Sequence, residues 1–331
     1  MNSGQDKIYF LAVLALAALF RFCQADFITI DIWSASIGIL TVVVFYFFVR
    51  HLFNSKIAAL ASFFLSVSSW HVIISKTDYQ TTLSIFLAVL SFQFLWRGIK
   101  GGELINFLIA GLVSGLGLYS DKSFFAVIIT EVIIFINYWF VLKTDFFGSE
   151  YNKSKKQLIR GFILTGLVIL ILNLPIILDV YISYNHSWIN NDLGHVSDSA
   201  KLSVAVLIFL AAGFIKELLH WIKRKHGHFS SIHTFLFAWF LIEIAPEFLS
   251  GSAISPPNLL KATGAIPVIM IFTAMGLEWL MVLISRLHKT RDPHYQFDKK
   301  TYRRESKLLM VATTTLILAA VAITEYYFLF K

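Results

Sequence analysis

Runs of about twenty apolar residues recur along this sequence, each closed by a short polar or charged connection. Eleven can be distinguished: Ile8–Phe20, Ile32–Phe53, Ile57–Ser75, Thr81–Ile99, Leu104–Tyr119, Ser123–Leu142, Leu158–Leu178, Leu202–Ile222, Ile232–Leu249, Leu259–Leu287 and Leu308–Leu329. At ~1.5 Å per residue a helix of about 20 residues crosses a hydrocarbon layer of ~30 Å. The pattern predicts an all-α, polytopic integral membrane protein of about eleven transmembrane helices. It reads as one transmembrane domain over residues 1–331, with no soluble domain on either side. The first run also has the length of a signal-peptide core, but Arg21 and Phe22 fit poorly before a cleavage site at Cys23-Gln24-Ala25.

Composition supports the membrane reading: 57% of the 331 residues are hydrophobic and 16% are aromatic. A net charge of +8 would suit nucleic acid, but its placement argues for a membrane and no nucleic-acid partner. Of 28 Lys and Arg residues, 22 fall at the N-terminus and in alternate connections, the richest being 286–307. Arg21, Lys76, Lys122, Lys201, Lys261 and Lys331 remain on the other side. The positive-inside rule then sets the N-terminus in the cytoplasm and, with an odd number of spans, the C-terminus outside. Cys23 is the only cysteine, which excludes an internal disulfide and a cysteine metal cluster.

The stretch Ser255–Gly276 bears most on chemistry. Pro256 and Pro257 suit a helix start, Lys261 follows about one turn later, and Gly264 and Pro267 predict a kink below it. A lysine there can simply snorkel to the interface. On a face otherwise poor in cations it also suits an anion site. The same face collects Asp26, Asp31, Asp78, Asp121, Asp179, Asp192, Asp198, Glu243 and Glu247, with Arg21, Lys76 and Lys122 among them. Outer loops carry acids in any case, because cations are kept inside. Mixed charges at helix ends nevertheless fit an anionic substrate and a carboxylate that takes a proton. Glu131 lies mid-span, and the sequence suggests no partner for it. The spacing of His186, Asp192, His195 and Asp198 fits no metal-ligand signature, and no nucleotide-binding or nucleophile-elbow motif is present. No cofactor or metal is expected. Gly111-x-x-x-Gly115 reads as a close helix-packing face.

Several segments together resemble the GT-C glycosyltransferases, polytopic enzymes of the protein-mannosyltransferase and aminoarabinose-transferase type. Ile37–Val42 through Tyr46, Val49-Arg50, Leu52-Phe53 and Ala58–Leu60 look like their second and third spans. Ser69-Trp70-His71-Val72-Ile73-Ile74-Ser75-Lys76 is similar to a family stretch that usually ends in Arg. Ala110–Leu112 with Gly115–Tyr119, and Trp239–Pro246 with Pro257–Lys261 and Gly264–Pro267, resemble two further family segments. The resemblance implies transfer of a sugar from a polyprenyl-phosphate carrier to a glycan, lipid or protein acceptor on the outer face of the cell membrane. Asp26, or else Asp31, would deprotonate the acceptor hydroxyl. Lys261, helped by Lys76 or Lys122 and with Arg21 and Asp78 nearby, would hold the carrier phosphate.

Departures from the family pattern are a short first outer loop without an Asp-Glu pair and no arginine near Asn190–Val196. No extracytoplasmic domain follows the last run, so a fragment or an inactive member is also compatible. Two other classes compete. A lipid or sugar-lipid flippase would show inverted repeats with interrupted helices, and none is evident. A membrane scaffold would tolerate neutralisation of every outer carboxylate.

Overall fold

A computed structural model describes residues 3–22, 31–121, 124–143, 150–176, 203–223, 228–250, 262–291 and 299–330. These residues are helical apart from short turns, with no strand among them. The helices, in chain order, are α1 (Ser3–Phe22), α2 (Ile32–Leu52), α3 (Ser55–Val67), α4 (Ser69–Thr77), α5 (Tyr79–Gly101), α6 (Leu104–Gly117), α7 (Phe125–Lys143), α8 (Glu150–Leu172), α9 (Val204–Lys223), α10 (His228–Ser250), α11 (Ile266–Arg291) and α12 (Lys299–Phe330). The protein is therefore an all-α, multi-pass membrane protein.

Local chemistry sets several boundaries. Asp31, Asn54 and Asp78 cap α2, α3 and α5, each accepting backbone N–H bonds from the first turn. Gly102 ends α5 at φ 70°, a left-handed conformation that glycine adopts without a Cβ penalty.

The span pattern differs from eleven uniform spans. Among the described residues five helices are long and apolar enough to cross a membrane. A sixth counts if α3 and α4, which meet at a 57° bend, form one broken span. The run Ile57–Ser75 hides that bend, because serines at 66, 68 and 69 mark it and no Gly, Pro or charged residue does. Leu104–Gly117, Phe125–Tyr138 and Ile232–Pro246 are apolar but shorter. The 14 residues of α6 reach only ~21 Å, less than the hydrocarbon thickness.

A second difference concerns Gly264 and Pro267. They do not kink a continuous helix. A 3-10 turn at Thr263–Ala265 leads into α11, and Pro267 sits in its first turn, where a missing N–H costs nothing. Residues 251–261, with Pro256, Pro257 and Lys261, lie outside the described residues.

Contacts at helix ends show how the bundle is threaded. Asp6 at the start of α1 pairs with Arg50 at the end of α2 at 3.5 Å, so these helices run antiparallel. Lys216 of α9 lies 4.0 Å from Glu278 of α11. Gly111 and Gly115 of α6 lie against Thr165 and Leu172 of α8, so the GxxxG face does pack a helix. The core between α2, α5 and α10 is aromatic: Phe92 stands 4.8 Å from Trp239 and 5.1 Å from Phe235, centroid to centroid. That packing fixes α5 against α10.

Candidate functional site

The site is built around α4, a nine-residue helix between the bend at Ser68 and the cap at Asp78. It is short and enclosed, with every residue from Ser69 to Lys76 buried. Its far end meets the start of α2, where the Asp31 N–H donates to the Lys76 carbonyl at 3.0 Å. Asp31 thereby joins α4 through its backbone and caps α2 through its side chain, which accepts from Trp33 N–H at 3.0 Å. Trp33 itself is 76% exposed, as expected of an aromatic side chain at a membrane–water boundary.

Arg21, at the end of α1, is wholly buried against α4. Its guanidinium donates to the carbonyls of Ala17 (3.0 Å) and Ser66 (3.4 Å), and Nη2 lies 2.5 Å from His71 Nδ1. Gly38 of α2 makes room for this arrangement. A Cβ there would stand 2.5 Å from Ser75 Cβ and 2.8 Å from Arg21 Nε. Among the described residues no carboxylate lies within ion-pair distance of Arg21, and its Nε has no hydrogen-bond partner. Arg21 is thus a buried cation held only by neutral groups among the described residues, an arrangement that favours a nearby anion.

Lys76 is also wholly buried, on the last turn of α4. Asp78 follows it, and both of its oxygens are engaged: Oδ1 accepts Thr81 N–H at 3.1 Å and Oδ2 the Thr81 hydroxyl at 2.6 Å. Its observed work is to cap α5. The structure thus brings Arg21, Asp31, Lys76 and Asp78 onto four neighbouring helix ends, those of α1, α2, α4 and α5. Asp26, Lys122 and Lys261 lie outside the described residues. Among the described residues no group of three or more His, Cys, Asp or Glu side chains could hold a metal ion.

Three features of the interior are not legible in the sequence. Glu131 does have partners: the hydroxyls of Ser91 and Ser114 both donate to its Oε1, the latter at 2.7 Å, tying α5, α6 and α7 together. Glu243 is buried beside Gly264, where an added Cβ would stand 2.3 Å from its Oε2. Glu325 of α12 reaches the start of α4, its Oε2 accepting Ser69 N–H at 2.9 Å. A carboxylate inside an apolar run is the one signal that could have marked all three.

No family model matches the sequence, and neither does any curated protein. Solved structures do match. An oligosaccharyltransferase from Archaeoglobus fulgidus, tethered to an acceptor peptide with an NVT sequon, aligns over 98% of this chain with a TM-score of 0.61 and 12% identity. The chain shares the fold of the aligned part of that protein. The archaeal oligosaccharyltransferase AglB in complex with an inhibitory peptide and a dolichol-phosphate aligns over 95% of this chain (TM-score 0.55, 12% identity). ArnT from Cupriavidus metallidurans in the apo state aligns over 90% (TM-score 0.51, 13% identity). The chain spans 55%, 45% and 60% of those three proteins, about half their length. At 12–13% identity the likeness is one of fold.

Proposed function

We propose that this chain is a membrane glycosyltransferase that moves a sugar from a polyprenyl-phosphate carrier to an acceptor on the outer face. The observation that carries the reading is the buried, uncompensated Arg21 beside α4, on a fold shared with an oligosaccharyltransferase. An anionic carrier headgroup is a natural counter-ion for such a side chain. Dolichol-phosphate bound to AglB is a ligand of that chemistry.

In the proposed reaction Asp26 or Asp31 accepts the proton of the acceptor hydroxyl. The oxygen attacks the anomeric carbon, the bond from that carbon to the phosphate oxygen breaks, and the polyprenyl phosphate leaves. Lys261, with Lys76 or Lys122 and the field of Arg21, stabilises the departing charge.

Binding of undecaprenyl phosphate to the full-length protein in nanodiscs tests the reading. Lys261→Gln and Lys76→Gln keep length and polarity but remove charge. Each is expected to weaken binding about tenfold, equivalent to ~1.4 kcal/mol. Unchanged affinity in both well-folded variants would sink the phosphate assignment.

The orientation belongs to the same proposal. Eleven passes, taking α1 and α8 as passes beside the five long spans, the three shorter apolar helices and α3–α4 as one, put residues 143–160 in the cytoplasm and residues 181–200 outside. Reporter fusions at Lys153 and Asn191 should therefore give cytoplasmic and exterior signals respectively. The same compartment for both would overturn the topology.

A further inference from the structure

Helix α4 begins in the bundle interior with a capping problem. Its first turn presents backbone N–H groups that no preceding turn can satisfy. Ser68 occupies the N-cap position, the usual place for a serine hydroxyl to accept such a bond, yet it makes no side-chain cap and its hydroxyl has no partner. Ser203, which precedes α9 and whose carbonyl accepts Leu207 N–H at 3.1 Å, repeats the pattern with a buried hydroxyl that also lacks a partner. One side chain serves both starts. Glu325 of α12, 1% exposed, accepts Ser69 N–H at 2.9 Å through Oε2 and Ser203 N–H at 3.1 Å through Oε1.

A carboxylate at a helix N-terminus gains from both hydrogen bonds and the helix dipole. Here it also fixes position, because each oxygen holds a different helix. Glu325 stands 256 residues from Ser69 in sequence, so the contact locks the far end of the chain onto the short helix. What α4 carries makes that lock matter. Two residues after Ser69 comes His71, the partner of Arg21; one turn later Ser75 faces Gly38, and Lys76 meets Asp31. The 57° bend at Ser68 means that α4 is not held as a straight continuation of α3.

We infer that Glu325 is a positioning residue that sets α4, and through it Arg21 and Lys76, for the carrier phosphate. The inference rests on the transferase reading for the identity of the anion. It does not rest on that reading for the movement of α4.

Two variants break the same bond from opposite sides. Glu325→Gln keeps the shape but turns one acceptor into a donor that faces a backbone N–H. Ser69→Pro removes the donor instead; Ser69 is the first residue of α4, where proline is favoured, and Ser68 at ψ 118° suits a following proline. Two readouts are taken on the full chain in nanodiscs. One is undecaprenyl phosphate binding. The other is maleimide labelling of Lys76→Cys in a Cys23→Ser background, where position 76 starts wholly buried.

Each variant is expected to unmask position 76 to the reagent and to weaken binding about tenfold. The double variant should do no more than either single one. Glu325→Asp, which keeps the charge with a shorter reach, should restore part of both readouts. Position 76 staying protected in both single variants, or fully additive effects in the double, would overturn the role of Glu325. If labelling responds as expected but the wild type binds no undecaprenyl phosphate, the transferase reading falls and the positioning of α4 stands.

Discussion

Asp31→Asn is expected to lower sugar transfer about 10²–10⁴-fold, the usual contribution of a positioned general base, while the protein stays folded. The structure makes this substitution unusually clean. Asp31 contributes to the fold in two ways: its backbone N–H donates to Lys76, and one carboxylate oxygen caps α2. Asparagine keeps the backbone bond and is as good an N-cap as aspartate, so a few tenths of a kcal/mol is the expected structural cost. Only the proton-accepting charge is lost. Asp26→Asn is the companion variant, because either carboxylate can fill the proposed role. An inactive Asp26→Asn beside an active Asp31→Asn would move the base by one carboxylate and leave the mechanism intact. Full activity in both would remove the carboxylate mechanism, and Asp198→Asn should be nearly silent in every case.

The second large effect is on stability. Gly213→Ala is expected to destabilise the bundle by about 3 kcal/mol, the upper part of the range for overpacking. A Cβ at Gly213 would stand 1.8 Å from the Phe272 carbonyl oxygen, and one at Gly276 would stand 1.9 Å from the Phe209 carbonyl oxygen. The obstacle is backbone in both cases, so no side chain can rotate away. The two helices, α9 and α11, must separate, which loses the close packing that drives helix association in lipid. Gly166→Ala in α8 is the control, with nothing within 4 Å of its added Cβ. It should be neutral, or stabilising by about 0.5–1 kcal/mol through helix propensity. Thermal unfolding in detergent separates the outcomes; a wild-type melting temperature for Gly213→Ala would contradict the described α9–α11 contact.

How far the sequence could be read follows from what hydropathy measures. Apolar length reports burial in lipid or protein, so it marks helices well. It cannot distinguish a straight span from two short helices meeting at Ser68, since no Gly, Pro or charged residue marks the junction. Charge position marked Arg21, Asp31, Lys76 and Asp78 as one face, and the helix ends that carry them are neighbours. Their individual work was not readable. Whether Asp78 binds a substrate or caps α5 depends on where Thr81 points, which periodicity does not encode. Glu325 was less visible still, because its partners are backbone N–H groups far away in sequence. Any residue type supplies those, so no motif records them.

The most direct measurement of the central claim follows the carrier. Wild-type protein and the Asp26→Asn/Asp31→Asn double variant are reconstituted in proteoliposomes with labelled polyprenyl-phosphate hexoses and pentoses, and a native membrane extract supplies the acceptor. For at least one donor, the wild type is expected to release free polyprenyl phosphate and label an acceptor, and the double variant to lose both. A well-folded wild-type protein that releases polyprenyl phosphate from none of the donors, or a double variant as active as the wild type, would contradict the account.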